Sequence, residues 1–253
     1  MSNKLFSESQ IETFKKQGFI VVKGMYDPTE MKHIKNWVDE VQSLPEVPGK
    51  YMMYFEDSLL NSDQRVLARV ENFCNYHEGF NSMINQEKMQ QSVSELLGET
   101  AVLFKEKINF KMPGGKGFTP HQDAQAGWDD YASFFITALV SVDESTVENG
   151  CLEMAPGFNQ GLIGELWKQL SEENMKGMEF SAVPTKPGDA VFFDSYAPHR
   201  SGPNLTKSPR RVLYLTYNRA SEGDHRVQYY VDKRKNYPPD IEREAGKKYE
   251  FKV

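Results

Sequence analysis

The sequence predicts a mainly β protein with flanking helices, an α+β chain whose jelly-roll core carries N-terminal helices packed outside it. Three observations lead there. From about residue 101 the chain becomes a series of short β-rich runs, AVLFKEKINFKM, SFFITALVSV, GCLEMAP, AVFFDSYAPH and RRVLYLTYN. Turn signals separate them, PGG, ENG, PG and KPGD. Ahead of that point, apolar residues recur at helical spacing behind recognisable helix starts.

In chain order, Ser7 and Gln10 form a capping box, and Ile11 and Phe14 begin an apolar face that stops at Gly18. The strand FIVV follows. Asp27 and Pro28 start a second helix, with Met31, Ile34, Trp37, Val38, Val41 and Leu44 on its stripe. His33 lies off that stripe and is expected to be exposed. Residues 51 to 98 read as loop mixed with helix, ending in MQQSVSELLG with Gly98 as a C-cap. The charged, tyrosine-rich stretch past residue 220 reads as an irregular tail laid over the core or over a partner. With 253 residues and no linker or low-complexity run, one domain covers 1–253. It divides into a mostly helical flank (1–100), the jelly-roll core (101–220) and the tail (221–253).

The balance of 30 basic and 36 acidic residues gives a net charge of −6, which speaks against a nucleic-acid or membrane-surface footprint. No apolar run has the length of a membrane span, and MSNKLFSESQ lacks a signal-peptide apolar region, so the expected location is the cytoplasm. The cysteines, Cys74 and Cys151, read as buried thiols outside the chemistry.

TPHQDAQAGW places His121 and Asp123 two positions apart. On a strand both side chains point to one face, about 7 Å apart along the backbone, within reach of one ion. The isolated pattern is common in solvated strands. AVFFDSYAPHRSGPN adds His199 at the end of a hydrophobic strand, where a β core presents it at its mouth. Two imidazoles and one carboxylate suit Fe(II) with three positions left open. Zinc hydrolysis uses similar ligands, but no general-base glutamate stands beside these as in H-E-x-x-H. Arg210, at the start of the next apolar strand, separates the readings: a buried guanidinium near a metal calls for a carboxylate, and a dicarboxylate co-substrate meets that demand. A metal-free binding module is the non-enzyme alternative. It would take up no iron, and a dicarboxylate would not shift its melting.

HQD at 121–123, ENGCLEMAPG at 148–157, PGD at 187–189 and HRSGPNLTKSPRR at 199–211 resemble, as an ordered set over roughly residues 8–220, the phytanoyl-CoA dioxygenase family. The resemblance implies a double-stranded β-helix, the cupin-like form of the jelly roll, and an Fe(II)- and 2-oxoglutarate-dependent oxygenase. It implies that His121, Asp123 and His199 ligate iron and that Arg210 grips the distal carboxylate of 2-oxoglutarate. Arg211, facing the other way on its strand, is expected to be a surface or salt-bridged arginine. Lys111 is implied as a second 2-oxoglutarate contact and Thr137 as part of that pocket. O2 is the implied oxidant, with ascorbate stimulating turnover. A carboxylate at 123, where related halogenases have a small residue, favours hydroxylation.

Within the family, HQDAQAGW, ITALVSVDESTVENGCLE, KPGDAVFFDSYAPHRSGPN and YNRASEGDHR are most similar to bacterial enzymes that hydroxylate small aminophosphonates. The expected reaction is hydroxylation of 2-aminoethylphosphonate at C1, preparing the C–P bond for a separate iron-dependent oxygenase. A quaternary ammonium phosphonate and an acyl-CoA are the alternative substrates. Lys107 and Asn109 are candidate phosphonate contacts, and Trp128, Asp129 and Tyr131 candidate ammonium contacts, against ordinary packing for Trp128 and Tyr131. Lys105 and Lys107 otherwise read as a solvated strand face. His77 and His225 read as structural or surface residues.

Overall fold

In the computed structural model, residues 4–85 and 87–249 are described, so the first three residues of the flank, position 86 and the last four of the tail lie outside the described residues. Helix α1 (Glu8–Gln17) starts at the Ser7 capping box and ends where Gly18, at φ 83°, donates its N–H to Phe14 O. Strand β1 (Phe19–Val22) leads to α2 (Pro28–Gln42), where Asp27 accepts from the Thr29 and Glu30 amides. Met31, Ile34, Val38 and Val41 form its buried stripe, and His33 is exposed as expected.

The next stretch departs from the expectation of loop and helix. It opens with an antiparallel pair, β2 (Met52–Asp57) and β3 (Arg65–Glu71), and only then turns helical as α3 (Glu78–Ile84) and α4 (Glu87–Leu97). The inward face of β3 carries Arg69 and Glu71, both buried. Arg69 and Glu71 face the cavity while Val70 packs in the apolar core, so charged residues stand on a buried face and mask the strand's period in the sequence.

The core strands follow: β4 (Ala101–Lys111), β5 (Phe118–His121), β6 (Phe135–Ser141), β7 (Leu152–Met154), β8 (Ser181–Val183), β9 (Ala190–Asp194), β10 (His199–Ser201) and β11 (Arg210–Arg219). They form a seven-stranded sheet, β1-β9-β6-β11-β4-β3-β2, and a four-stranded sheet, β5-β10-β7-β8. The named pairs are antiparallel.

One apolar cluster packs Phe14, Ile34, Val38 and Val93 of the helices against Ile108, Ile136, Val140 and Leu213 on one face of the large sheet. A second joins Leu139, Phe193 and Val212 of the large sheet to Leu152 and Met154 of the small one. β6 is therefore buried on both faces, which is why FITALVS reads as a continuous apolar run. Each such side chain removed from water contributes about 1.5–3 kcal/mol.

The tail is not irregular throughout. Residues Arg226–Asn236 form helix α5, which packs on β4. Only Tyr229 and Tyr230 of it are buried, so RVQYYVDKRKN shows little helical stripe.

Candidate active site

β5 ends at His121 and β10 begins at His199, and the two residues are register partners, so the pairing of these short strands sets one imidazole against the other. Their ring centroids are 4.3 Å apart. Asp123 is not on the strand, as simple alternation had it. It opens a 3-10 turn (Asp123–Ala126) that carries its carboxylate back beneath the rings, with Oδ1 4.0 Å from His121 Nε2. One ligand atom from each of the three residues lies within 4.8 Å of the others.

Each ring is oriented from behind. His121 Nδ1 is 2.7 Å from Thr119 O and His199 Nδ1 is 3.0 Å from Ala197 O. A carbonyl only accepts, so each Nδ1 carries the proton and each Nε2 is left as the ligand atom. Burial, reinforced by His199, pushes His121 down to about 3, and burial lowers His199 as well. Burial works to raise Asp123, but His199, Lys107 and Lys105 hold it below its ordinary value. Neutral imidazoles beside an ionised carboxylate are the states that ligate a divalent ion, and this donor set fits Fe(II).

Arg210 is 1 % exposed and its Nε has no partner among the described residues. Burial raises the neighbouring Tyr214 phenol, and the Arg210 charge works against that rise. A buried guanidinium short of acceptors and without a paired carboxylate fits a carboxylate ligand. Arg211, on the opposite face, pairs instead with Asp143 at 2.7 and 3.0 Å and with Asp39. It is salt-bridged as expected, though buried rather than on the surface.

Lys111 is the register partner of Arg210, but its ammonium already donates to Gly150 O, Ser201 Oγ and Gly202 O. Burial and then Arg210 push it down to about 6. A 2-oxoglutarate contact from Lys111 would have to displace one of these acceptors. Thr137 lies 2.9 Å from Thr216 Oγ1 and donates at 3.5 Å to Asp123 Oδ2, so it supports the metal-facing carboxylate. Asn109 and Lys111 line a cleft of about 540 Å³ that reaches His121 from this side.

On the other side of the triad lies a cavity of about 530 Å³. Lys105 and Lys107 line it, which overturns their reading as a solvated face: Lys105 is 7 % exposed and Lys107 half-buried. Neither ammonium has a hydrogen-bond acceptor or ion pair among the described residues. Burial lowers both from their ordinary values. Asn109, expected beside Lys107 on the substrate, lines the other cleft instead.

Trp128 is buried against Phe104 and Phe135 and lines the cavity, but the cation over its ring is the chain's own Lys105, 3.9 Å from the centroid. Tyr131 also lines it, with its hydroxyl donated to Asp232 at 2.8 Å. Asp129 is exposed and lies off the cavity wall, where Asp130 stands instead.

Sequence reasoning missed Arg69 and Glu71 of β3, Trp167 of the long connection after β7, and Tyr229, Asp232 and Lys233 of α5, all on this wall. Glu71 sits 2.8 Å from Arg69 and 3.1 Å from Lys233. Burial works to raise its carboxyl, yet these cations hold it at about 2. Trp167, at φ 65° and about half exposed, lies over Gly127, where a Cβ would meet its ring at 2.4 Å.

His77 and His225 are structural. His77 Nδ1 accepts from the Phe80 amide at the start of α3, and His225 Nε2 bonds Glu222 O. Both cysteines are buried and free. No helix among the described residues is long and apolar enough to cross a membrane.

The family model described as phytanoyl-CoA dioxygenase (PhyH) matches residues 14–212. The 2-aminoethylphosphonate dioxygenase of uncultured bacterium HF130_AEPn_1 is 44% identical over 96% of this chain and 94% of its own length. The methylphosphonate hydroxylase of Gimesia maris is 39% identical over 93% of this chain and 89% of its own. Among solved structures, EctD from S. alaskensis with 2-oxoglutarate and 5-hydroxyectoine superposes with a TM-score of 0.76 at 20% identity, covering 88% of this chain and 79% of that one. That likeness supports the jelly-roll architecture.

Proposed function

This chain belongs to the phytanoyl-CoA dioxygenase family and is an Fe(II)- and 2-oxoglutarate-dependent dioxygenase, and from that premise we propose that it hydroxylates C1 of 2-aminoethylphosphonate to give 2-amino-1-hydroxyethylphosphonate. The observation that carries the substrate reading is the pair Lys105 and Lys107. Two neighbouring ammonium groups, one buried and one half-buried, face the cavity beside His121 and Asp123 with no acceptor among the described residues. Burying an unpaired charge is costly, and a dianionic phosphonate offsets that cost with charge-assisted bonds of about 1.5–3 kcal/mol each. The relatives that act on 2-aminoethylphosphonate and methylphosphonate support the same chemistry.

Fe(II) with 2-oxoglutarate, when bound, supplies the oxidising chemistry: one O2 is consumed, 2-oxoglutarate becomes succinate and CO2, and one oxygen atom enters a substrate C–H bond. The chain's residues do the rest. His121, Asp123 and His199 hold the metal, and Thr119 O and Ala197 O fix the ring orientations. Arg210 grips the distal carboxylate of 2-oxoglutarate, with the Tyr214 phenol as its neighbour. Lys105 and Lys107 hold the phosphonate so that C1 faces the metal rather than C2. Trp128, Tyr131 and Tyr229 exclude water around the reacting carbon. The product keeps its C–P bond, so release of phosphate from it falls to a separate C–P-cleaving oxygenase.

Succinate release from purified protein with Fe(II), ascorbate, O2 and 2-oxoglutarate tests this, with and without 2-aminoethylphosphonate. Substrate-dependent succinate that disappears in His199→Ala is the expected result. Succinate that needs His199 but ignores the phosphonate would remove the substrate assignment.

A further inference from the structure

The family model ends at residue 212, yet α5, beyond it, builds one wall of the substrate cavity with Tyr229, Asp232 and Lys233. The helix is firmly placed. Arg226 grips the fully buried Glu106 at 2.6 and 2.9 Å, and the Tyr230 hydroxyl donates to Glu106 O at 2.9 Å. Asp232 therefore has a fixed position on the wall.

Asp232 is short of a cation. Its oxygens accept from two neutral donors, the Tyr131 hydroxyl at 2.8 Å and Gln228 Nε2 at 3.0 Å, and it forms no ion pair among the described residues. Those bonds hold its carboxyl below the ordinary range, so it is ionised. Across the same cavity stands Lys105, more than nine-tenths buried and without an acceptor among the described residues. Tyr229 lies between the two poles: its ring centroid is 5.5 Å from Lys105 Nζ and 5.9 Å from the Tyr131 ring that carries Asp232's donor. The cavity is bipolar, with two lysine ammoniums beside the metal ligands and, on α5, a carboxylate that feels Lys235 but forms no ion pair among the described residues.

A 2-aminoethylphosphonate zwitterion has the matching pattern. A hydrogen bond at each end, a P–O bond and an extended P–C–C–N chain together reach about 11 Å from a lysine nitrogen to a carboxylate oxygen. We propose that Asp232 is a specificity residue: its carboxylate receives the substrate ammonium while Lys105 and Lys107 receive the phosphonate, so that α5 selects aminoalkyl over plain alkyl phosphonates. This rests on the phosphonate reading above.

The test compares wild type with Asp232→Asn and Asp232→Glu on 2-aminoethylphosphonate and on methylphosphonate, the latter read as substrate or as competitive inhibitor. In Asp232→Asn the preference for 2-aminoethylphosphonate over methylphosphonate falls about tenfold or more, mainly through KM, and Asp232→Glu recovers part of it. A role confined to holding Tyr131 weakens both ligands together, so an unchanged ratio overturns the inference while leaving the phosphonate reading intact. A wild type that prefers methylphosphonate overturns it too. A wild type that engages neither phosphonate removes the reading and the inference with it.

Discussion

Replacing Lys105 with methionine is expected to stabilise the protein and to damage its function. Methionine keeps an apolar stem beside Trp128 and Tyr229 while removing the ammonium. Lys105 is 7 % exposed and has no acceptor among the described residues; the Trp128 face at 3.9 Å, the Tyr229 ring at 5.5 Å and the more distant Asp123 and Glu71 offset only part of the cost of burying its charge. That cation–π contact contributes about 0.5–2 kcal/mol, less than the several kcal/mol that burying an uncompensated charge costs. A net gain of about 1 kcal/mol raises Tm by about 2–4 °C in a chain of this size. The pH dependence has a definite sign. Burial depresses the folded-state pKa of Lys105, so above that value the unfolded chain binds more protons and wild-type stability rises with pH toward the unfolded lysine value. The methionine variant lacks that rise, so its advantage is greatest on the acidic side and shrinks as pH increases. Meanwhile KM for the phosphonate climbs about 10- to 100-fold through loss of one charge-assisted bond. Thermal melts over a pH series and succinate release against phosphonate concentration read both effects. A variant with unchanged Tm and unchanged KM would refute the reasoning, because it would make Lys105 an ordinary surface lysine.

The paired arginines should separate cleanly. Arg210→Gln raises the 2-oxoglutarate KM at least about 30-fold, whereas Arg211→Gln leaves that KM near wild type and lowers Tm by stripping Asp143 of its partner. Arg226→Ala leaves the buried Glu106 without its cation and costs about 3 kcal/mol, a fall of about 6–12 °C in a melting experiment. Gly127→Ala pays twice, with φ at 70° and a Cβ 2.4 Å from the Trp167 ring, so it should destabilise by more than about 1 kcal/mol and alter the fluorescence of Trp167.

The parts of this protein legible in its sequence are those where residue type and spacing carry the information locally. Ser7, Asp27 and Gly18 mark helix ends because capping is decided within a few residues. The runs that became β4, β6, β9 and β11 are visible because they are long and apolar. His121, Asp123, His199 and Arg210 stood out as an ordered set, and the structure brings the first three together and buries the fourth. What was hidden is what the cavity itself inverts. Lysine on a strand normally marks a solvated face, but at 105 and 107 that face is the inside of the barrel. Arg69 and Glu71 erased the apolar alternation of β3 for the same reason. α5 was obscured because its inward residues, Asp232 and Lys233, serve the cavity and leave only two tyrosines for the core. The cation over Trp128 was not foreseeable from spacing, since it depends on β4 lying beside the turn after the metal motif.

The most direct test of the central claim is to identify the product formed from 2-aminoethylphosphonate under isotopically labelled O2 by phosphorus NMR and mass spectrometry, with succinate measured in the same reaction. The account predicts a C1-hydroxylated phosphonate carrying one labelled oxygen, its C–P bond intact, formed in equal amount with succinate and absent in His199→Ala. Free phosphate, hydroxylation at C2, or labelled succinate without any labelled phosphonate would contradict it.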